Sequence, residues 1–179
     1  SGDKIRVLII DGRNNHNWKD TTPFMKEQLE RTGKFQVSVA TTPPNGAKAE
    51  DWKSFNPDFS ECDVVLSNYN GSKWEPESVR DSFEKFLNDG GALVNVHAAN
   101  NAHNGWIGFE EATGLLWRGN KGGARLYLDE VGKLLKVETG KGRGAGHGPQ
   151  HEYIVQMRDT THPITEGIPK EWLHGKDEL

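Results

Sequence analysis

Gly90-Gly91-Ala92-Leu93-Val94-Asn95-Val96-His97-Ala98-Ala99-Asn100-Asn101 is the stretch whose reading decides the fold. Two glycines stop whatever precedes them. An apolar run of strand length follows, and the chain then enters a turn of small and amide residues. In open α/β sheets, ligands bind just beyond the C-terminal ends of the strands. His97 is therefore delivered, as a titratable imidazole, to the usual place of chemistry. A purely buried strand has no need of it there.

Working outward, the same grammar recurs. Ile5 to Ile10 is an aliphatic run broken only by Arg6, the pattern of a strand buried on both faces. The polar loop Asp11-Gly12-Arg13-Asn14-Asn15-His16 follows. Thr22 as N-cap and Pro23 at the first helical position predict a helix, with Met25 and Leu29 on one face and Gly33 at its end. Phe35 to Ala40 alternates as a strand, and Thr41 to Pro57 reads as a loop-rich crossover. Asp63 to Leu66 is a third strand, followed by Ser67-Asn68-Tyr69-Asn70-Gly71. Pro76 opens a helix with Val79, Phe83, Phe86 and Leu87 on one face, and Ala92 to Val96 is the fourth strand. This alternation predicts a three-layer α/β fold, a parallel sheet with helices on both faces. The second half is less regular: a short helix over Trp106 to Thr113, strands over Arg125 to Leu128, Leu134 to Val137 and Tyr153 to Met157, and a glycine-rich loop over Lys141 to Gly148. No linker divides the pattern, so residues 1–179 read as a single domain.

The composition fits a globular chain of 179 residues with a net charge of -4. No basic stripe points to nucleic acid, and no apolar run reaches the roughly 20 residues of a membrane span. Cys62 is the single cysteine, which excludes an intrachain disulfide and a four-cysteine zinc site. The chain starts at Ser1-Gly2 and ends Lys176-Asp177-Glu178-Leu179, the letters of an endoplasmic-reticulum retention signal. We read that match as coincidental and expect a bacterial protein of the periplasm, the medium or the cytoplasm.

Three post-strand loops are rich in amides, histidine and tryptophan: Asn14, Asn15, His16 and Trp18; then Asn68, Tyr69, Asn70 and Trp74; then His97, Asn100, Asn101, His103 and Trp106. In a parallel sheet they converge at one edge. Amides donate and accept in one plane and indoles stack on the C–H faces of sugars, so the set suits a carbohydrate. The plainer reading is that Asn and Gly make turns while Trp caps the core. His147-Gly148-Pro149-Gln150-His151 is a further cluster. Its histidines are four apart, but Gly148 and Pro149 argue against a helix. His147 and His151 stand as a second acid/base pair or, with His97, as candidate ligands of a divalent metal such as zinc. No cofactor is otherwise indicated. A nucleophile elbow, a dinucleotide fingerprint and a phosphate loop are all missing from the sequence.

Taken together, these pieces resemble the ThuA-like family, named for trehalose utilisation. They are Val7-Leu8-Ile9-Ile10-Asp11-Gly12 with Asn15-His16-Asn17-Trp18, Asp63 to Gly71, Gly90 to Ala99, Thr113-Gly114, His162-Pro163-Ile164-Thr165 and Asp177-Glu178-Leu179. The resemblance implies a class I glutamine amidotransferase-like, flavodoxin-like fold. It sets His97 where amidotransferases of that superfamily carry their cysteine. An imidazole forms no thioester, so amidotransferase activity is not expected. The family continues past Asp-Glu-Leu, which implies a chain cut short here. A carbohydrate role is also implied, including 3-keto-glycosides. The expectation is then acid/base chemistry on a sugar by His97, His16 and His151, in the class of a keto-sugar isomerase, lyase or hydrolase. Asn15, Trp18, Asn68, Tyr69, Asn70, Asn100, Asn101 and His147 would bind the substrate. The competing expectation is a sugar-binding module without catalysis. A homo-oligomer is compatible with either.

Overall fold

A computed structural model describes residues 2–177, so Ser1 and the last two residues of the terminal tetrapeptide, Glu178 and Leu179, lie outside the described residues. Contacts divide the chain into two compact units, Ser1–Trp117 and Arg118–Leu179.

The first unit is built on four parallel strands: β1 (Ile5–Asp11), β2 (Phe35–Thr41), β3 (Val64–Ser67) and β4 (Ala92–Asn95), in the order β2-β1-β3-β4. This is the flavodoxin-like order, in which β1 occupies an interior position. Period-two alternation assigns its side chains to two layers. Val7 and Ile9 join Val37 under Met25 and Leu29 of helix α1 (Trp18–Arg31). Leu8 and Ile10 face the opposite way, into a larger aromatic core with Val65, Trp74, Val79 and Phe83. Val79 and Phe83 come from helix α2 (Glu77–Asn88), and Phe109 reaches the same core from α3 (Ile107–Thr113). Burying each such side chain is worth about 1.5–3 kcal/mol. Helices therefore cover both faces, as the alternating pattern predicts.

Two local readings need correction. Helix α1 starts at Trp18, not after Thr22, because Asn17 O already accepts from the amides of Asp20 and Thr21. Pro23 lies inside the helix on its exposed side, where the Lys19 carbonyl that loses its partner can turn to water. Thr22 is buried rather than capping, and its hydroxyl faces inward. The indoles also differ from expectation. Trp74 and Trp106 are buried, their ring centroids 5.3 Å apart, and Trp74 packs edge-on to Phe55 and Phe83. They belong to the core because the aromatic layer under β3 needs their volume, so they offer no stacking face to a sugar.

The second unit consists of two antiparallel hairpins, β5 (Arg125–Leu128) with β6 (Leu134–Val137) and β7 (His151–Gln156) with β8 (Glu171–Asp177). Asp129 closes the first turn by accepting from the amides of Val131 and Lys133. None of the described residues in this unit is fully buried. Among the described residues no helix is long and apolar enough to cross a membrane.

Cys62 sits in the aromatic core, where burial pushes its thiol from an ordinary 9.0 up to about 11. Burial likewise pushes Tyr69 from 10.0 up to about 12. Both groups are raised in the folded state. Their contribution is fully present below the unfolded values and is lost as pH climbs through the folded ones. The urea midpoint is expected to fall progressively from about pH 9 to 12. Cys62→Ala should flatten the first part of that decline, measured as unfolding curves at stepped pH.

Candidate functional site

Strand register brings the site together. Ile10 pairs with Ser67 and Ser67 with Asn95, so β1, β3 and β4 end level. Gly12 carries the first loop away from β1 with φ +111, and a Cβ there would stand 2.4 Å from Thr42 Oγ1 and 2.6 Å from the Thr42 carbonyl oxygen. Only glycine satisfies both conditions.

Asn68 ties the loops together. It is 4% exposed, and its Nδ2 donates to Thr21 Oγ1 at 3.0 Å and to Thr22 Oγ1 at 2.9 Å. Its Oδ1 and backbone oxygen accept from Asn14 Nδ2. Asn14 Oδ1 in turn accepts the amide of His16 at 2.9 Å, an Asx turn that sets where the imidazole starts. Asn70 Nδ2 donates to Asn15 Oδ1 at 2.5 Å, closing a second link between the first and second loops.

From the third loop comes His97, which opens a short 3₁₀ turn, His97–Asn101, with φ +46. A left-handed backbone is uncommon for a residue with a Cβ and costs about 1–3 kcal/mol, a strain that clusters at functional sites. The result is a close approach. His97 Nε2 lies 3.0 Å from His16 Nε2, with the rings edge-on at 4.6 Å. Two such nitrogens meet at that distance when one carries the proton and the other the lone pair. Both imidazoles are exposed, so the shared edge is open to a ligand.

The remaining candidates fall into place unevenly. Asn15 is exposed and Asn70 half-buried beside the imidazole pair's loops, and Trp18 is half-buried with the Lys19 ammonium 5.7 Å from its ring. Asn100 is half-buried and Asn101 exposed in the turn that His97 opens. Asn68 and Tyr69 depart from the expectation that they hold ligand hydroxyls. The amide of Asn68 is engaged inside the protein, and Tyr69 is fully buried with its hydroxyl donated to the Ser72 carbonyl at 2.8 Å. Both hold loops. His103 is buried too, stacked on Tyr69 at 5.0 Å and edge-on to Phe109 at 4.5 Å.

His147 and His151 belong to the second unit. Each has its Nδ1 within reach of a carbonyl, Gly148 O at 3.1 Å and Glu152 O at 2.8 Å, which fixes the proton on Nδ1 in the neutral ring. His162, also there, accepts the Ile164 amide at Nδ1 and so caps the 3₁₀ turn Pro163–Thr165. Among the described residues, no group of three or more His, Cys, Asp or Glu side chains is placed to hold a metal ion. Sequence reasoning missed Arg13, Thr21 and the inward role of Thr22. Their signal is weak, since a threonine before proline and an arginine beside glycine read as cap and surface.

A parallel α/β sheet with a polar, histidine-bearing edge at its strand ends defines the class. The chain belongs to the ThuA family, described as trehalose utilisation, whose model matches residues 6–179. It is similar to a ThuA-like protein from Parabacteroides merdae ATCC 43184, with 37% identity and a TM-score of 0.88, over 99% of this chain and 62% of that one. A ThuA-like protein from Bacteroides uniformis ATCC 8492 shares the fold at 18% identity and a TM-score of 0.59, over 97% of this chain and 59% of the other. The chain thus spans about 60% of the length of these solved relatives. No curated protein matches it.

Two measurements test this geometry. Gly12→Ala should lower stability by about 2 kcal/mol or more in urea unfolding, since it adds both backbone strain and overlap with Thr42. Asn68→Ala should cost about 1–3 kcal/mol by the same measurement, because it strips the partner from the buried Thr22 hydroxyl and breaks the link to Asn14.

Proposed function

We propose that the first unit acts on a carbohydrate, with His16 and His97 as an acid/base pair for a keto-sugar of the 3-keto-glycoside type. The observation that carries this reading is the 3.0 Å separation of the two Nε2 atoms on an exposed edge. The family's description, trehalose utilisation, supports the substrate class.

A carbonyl at C3 acidifies the C2–H bond. The imidazole that holds the lone pair takes the C2 proton, and the electron pair moves into the C2–C3 enolate. The imidazole that holds the proton donates it toward the carbonyl oxygen, which limits the charge on the enolate. From there the electron pair can expel the glycosidic oxygen at C1. The C1–O bond breaks, a C1–C2 double bond forms, and the imidazolium returns the proton to the departing oxygen. Protonation of the enediol at a neighbouring carbon gives isomerisation instead. Either course uses one proton acceptor and one donor side by side, which is what a His–His edge supplies. Asn15 and Asn70 supply amides for ring hydroxyls, and their mutual bond keeps them aligned.

The test is turnover of a 3-keto-glucoside, followed by product chromatography. Wild type should consume it, and His97→Ala and His16→Ala should each lose about 10²–10⁴-fold in kcat. Undiminished turnover in His97→Ala overturns the assignment. Calorimetric binding of unoxidised disaccharides with no turnover of any keto-sugar would identify a binding module instead.

A further inference from the structure

We infer that Arg13 is the positioning residue of the His16–His97 pair: a buried cation that fixes where the first loop presents its imidazole. This rests on the pairing described above and explains how it is held.

Arg13 is only 9% exposed, yet its acceptors are carbonyls and a hydroxyl rather than a carboxylate. Nε donates to Pro43 O at 2.8 Å, one terminal nitrogen to Pro44 O at 2.7 Å and the other to Ser72 Oγ at 3.3 Å. The guanidinium carbon lies 4.9 Å from the centroid of the buried Trp52 ring. Burying a charge without an opposite charge is costly, and full use of its donors is what makes it tolerable. The place where this happens is informative. Pro43 and Pro44 follow β2, and Ser72 belongs to the loop after β3, while Arg13 itself leads out of β1. One side chain thus joins its own loop to two other post-strand loops.

Its backbone completes the clamp. The Arg13 carbonyl accepts the Asn70 amide at 2.7 Å, which pins the first loop to the second just before the Asn14 and Asn68 bracket. Space is filled on the other side as well. A Cβ on Gly71 would stand 3.0 Å from Arg13 Cδ and 2.3 Å from Tyr69 Oη. The loop that carries Asn70 can therefore approach Tyr69 and Arg13 this closely only because position 71 is glycine. Three residues further along the chain is His16. Release of the guanidinium leaves the Asx turn intact but frees the segment on which it stands.

Lysine cannot take over this role. A single ammonium carries the charge but cannot reach two carbonyls and a hydroxyl in one plane while stacking on an indole.

The experiment measures the nitrogen-15 coupling across the His16–His97 hydrogen bond in wild type, Arg13→Lys and Arg13→Gln, with thermal unfolding as the control for folding. Wild type should show the coupling. Both variants should lose it, while the buried His103 ring keeps its native shifts. Turnover of the 3-keto-glucoside should fall through kcat, with KM little changed. Coupling retained in Arg13→Lys overturns the inference. Should Arg13→Gln fail to fold, Arg13→Lys alone decides, because it keeps the charge and the aliphatic stem. Absence of coupling in the wild type itself would remove the pair, and with it the role of Arg13. Coupling present in wild type and lost in both variants, with no turnover of any keto-sugar, would leave Arg13 in place and defeat only the proposed reaction.

Discussion

Parallel register is the constraint on which the site depends. Because Ile10, Ser67 and Asn95 stand level, three loops leave the sheet from one line and must share one small region. The polar residues in those loops are then forced into mutual satisfaction. Asn68 serves Asn14, Thr21 and Thr22, Asn70 serves Asn15, and Arg13 serves the loop after β2. The network is a consequence of strand alignment, and the imidazole pair is what it leaves facing outward.

Rigidity and exposure are divided between different residues at this edge. The groups that hold the loops are buried: Asn68, Tyr69, His103 and Arg13. The imidazoles themselves are exposed, and one of them sits on a strained backbone. Strain at His97 persists only where the surroundings over-determine it. Its surroundings are the last rung of the ladder, where the Val96 amide donates to the Ser67 carbonyl, and the 3₁₀ turn that follows immediately. Local conformational cost and the close approach of two nitrogens are therefore parts of one arrangement.

The aromatic layer beneath β3 explains why half of the polar-looking candidates are structural. A four-stranded sheet with short β3 and β4 offers little aliphatic surface, and indoles and phenyl rings fill the space below it. Trp74, Trp106, Tyr69 and His103 are recruited to that layer. Residues that would suit a sugar in isolation are consumed by packing.

The sequence by itself determined the four parallel strands of the first unit, their alternation with helices and the edge at which His97 would emerge, while β8 (Glu171–Asp177) went unread. Those follow from aliphatic runs, period-two alternation and glycine stops, all of them local signals read from neighbours a few positions away. It also carried the family resemblance, through His97, His16 and the amide-rich segments. Only the tertiary structure decided which of those residues meet. Asn68 turned inward because two threonines of α1 lie beneath it. Whether a side chain faces solvent or a partner depends on groups far away in the chain, such as Asn68 and Thr22 at a separation of 46 or His16 and His97 at a separation of 81. No local pattern encodes that distance, because it is set by the register of strands that pair long after each is written.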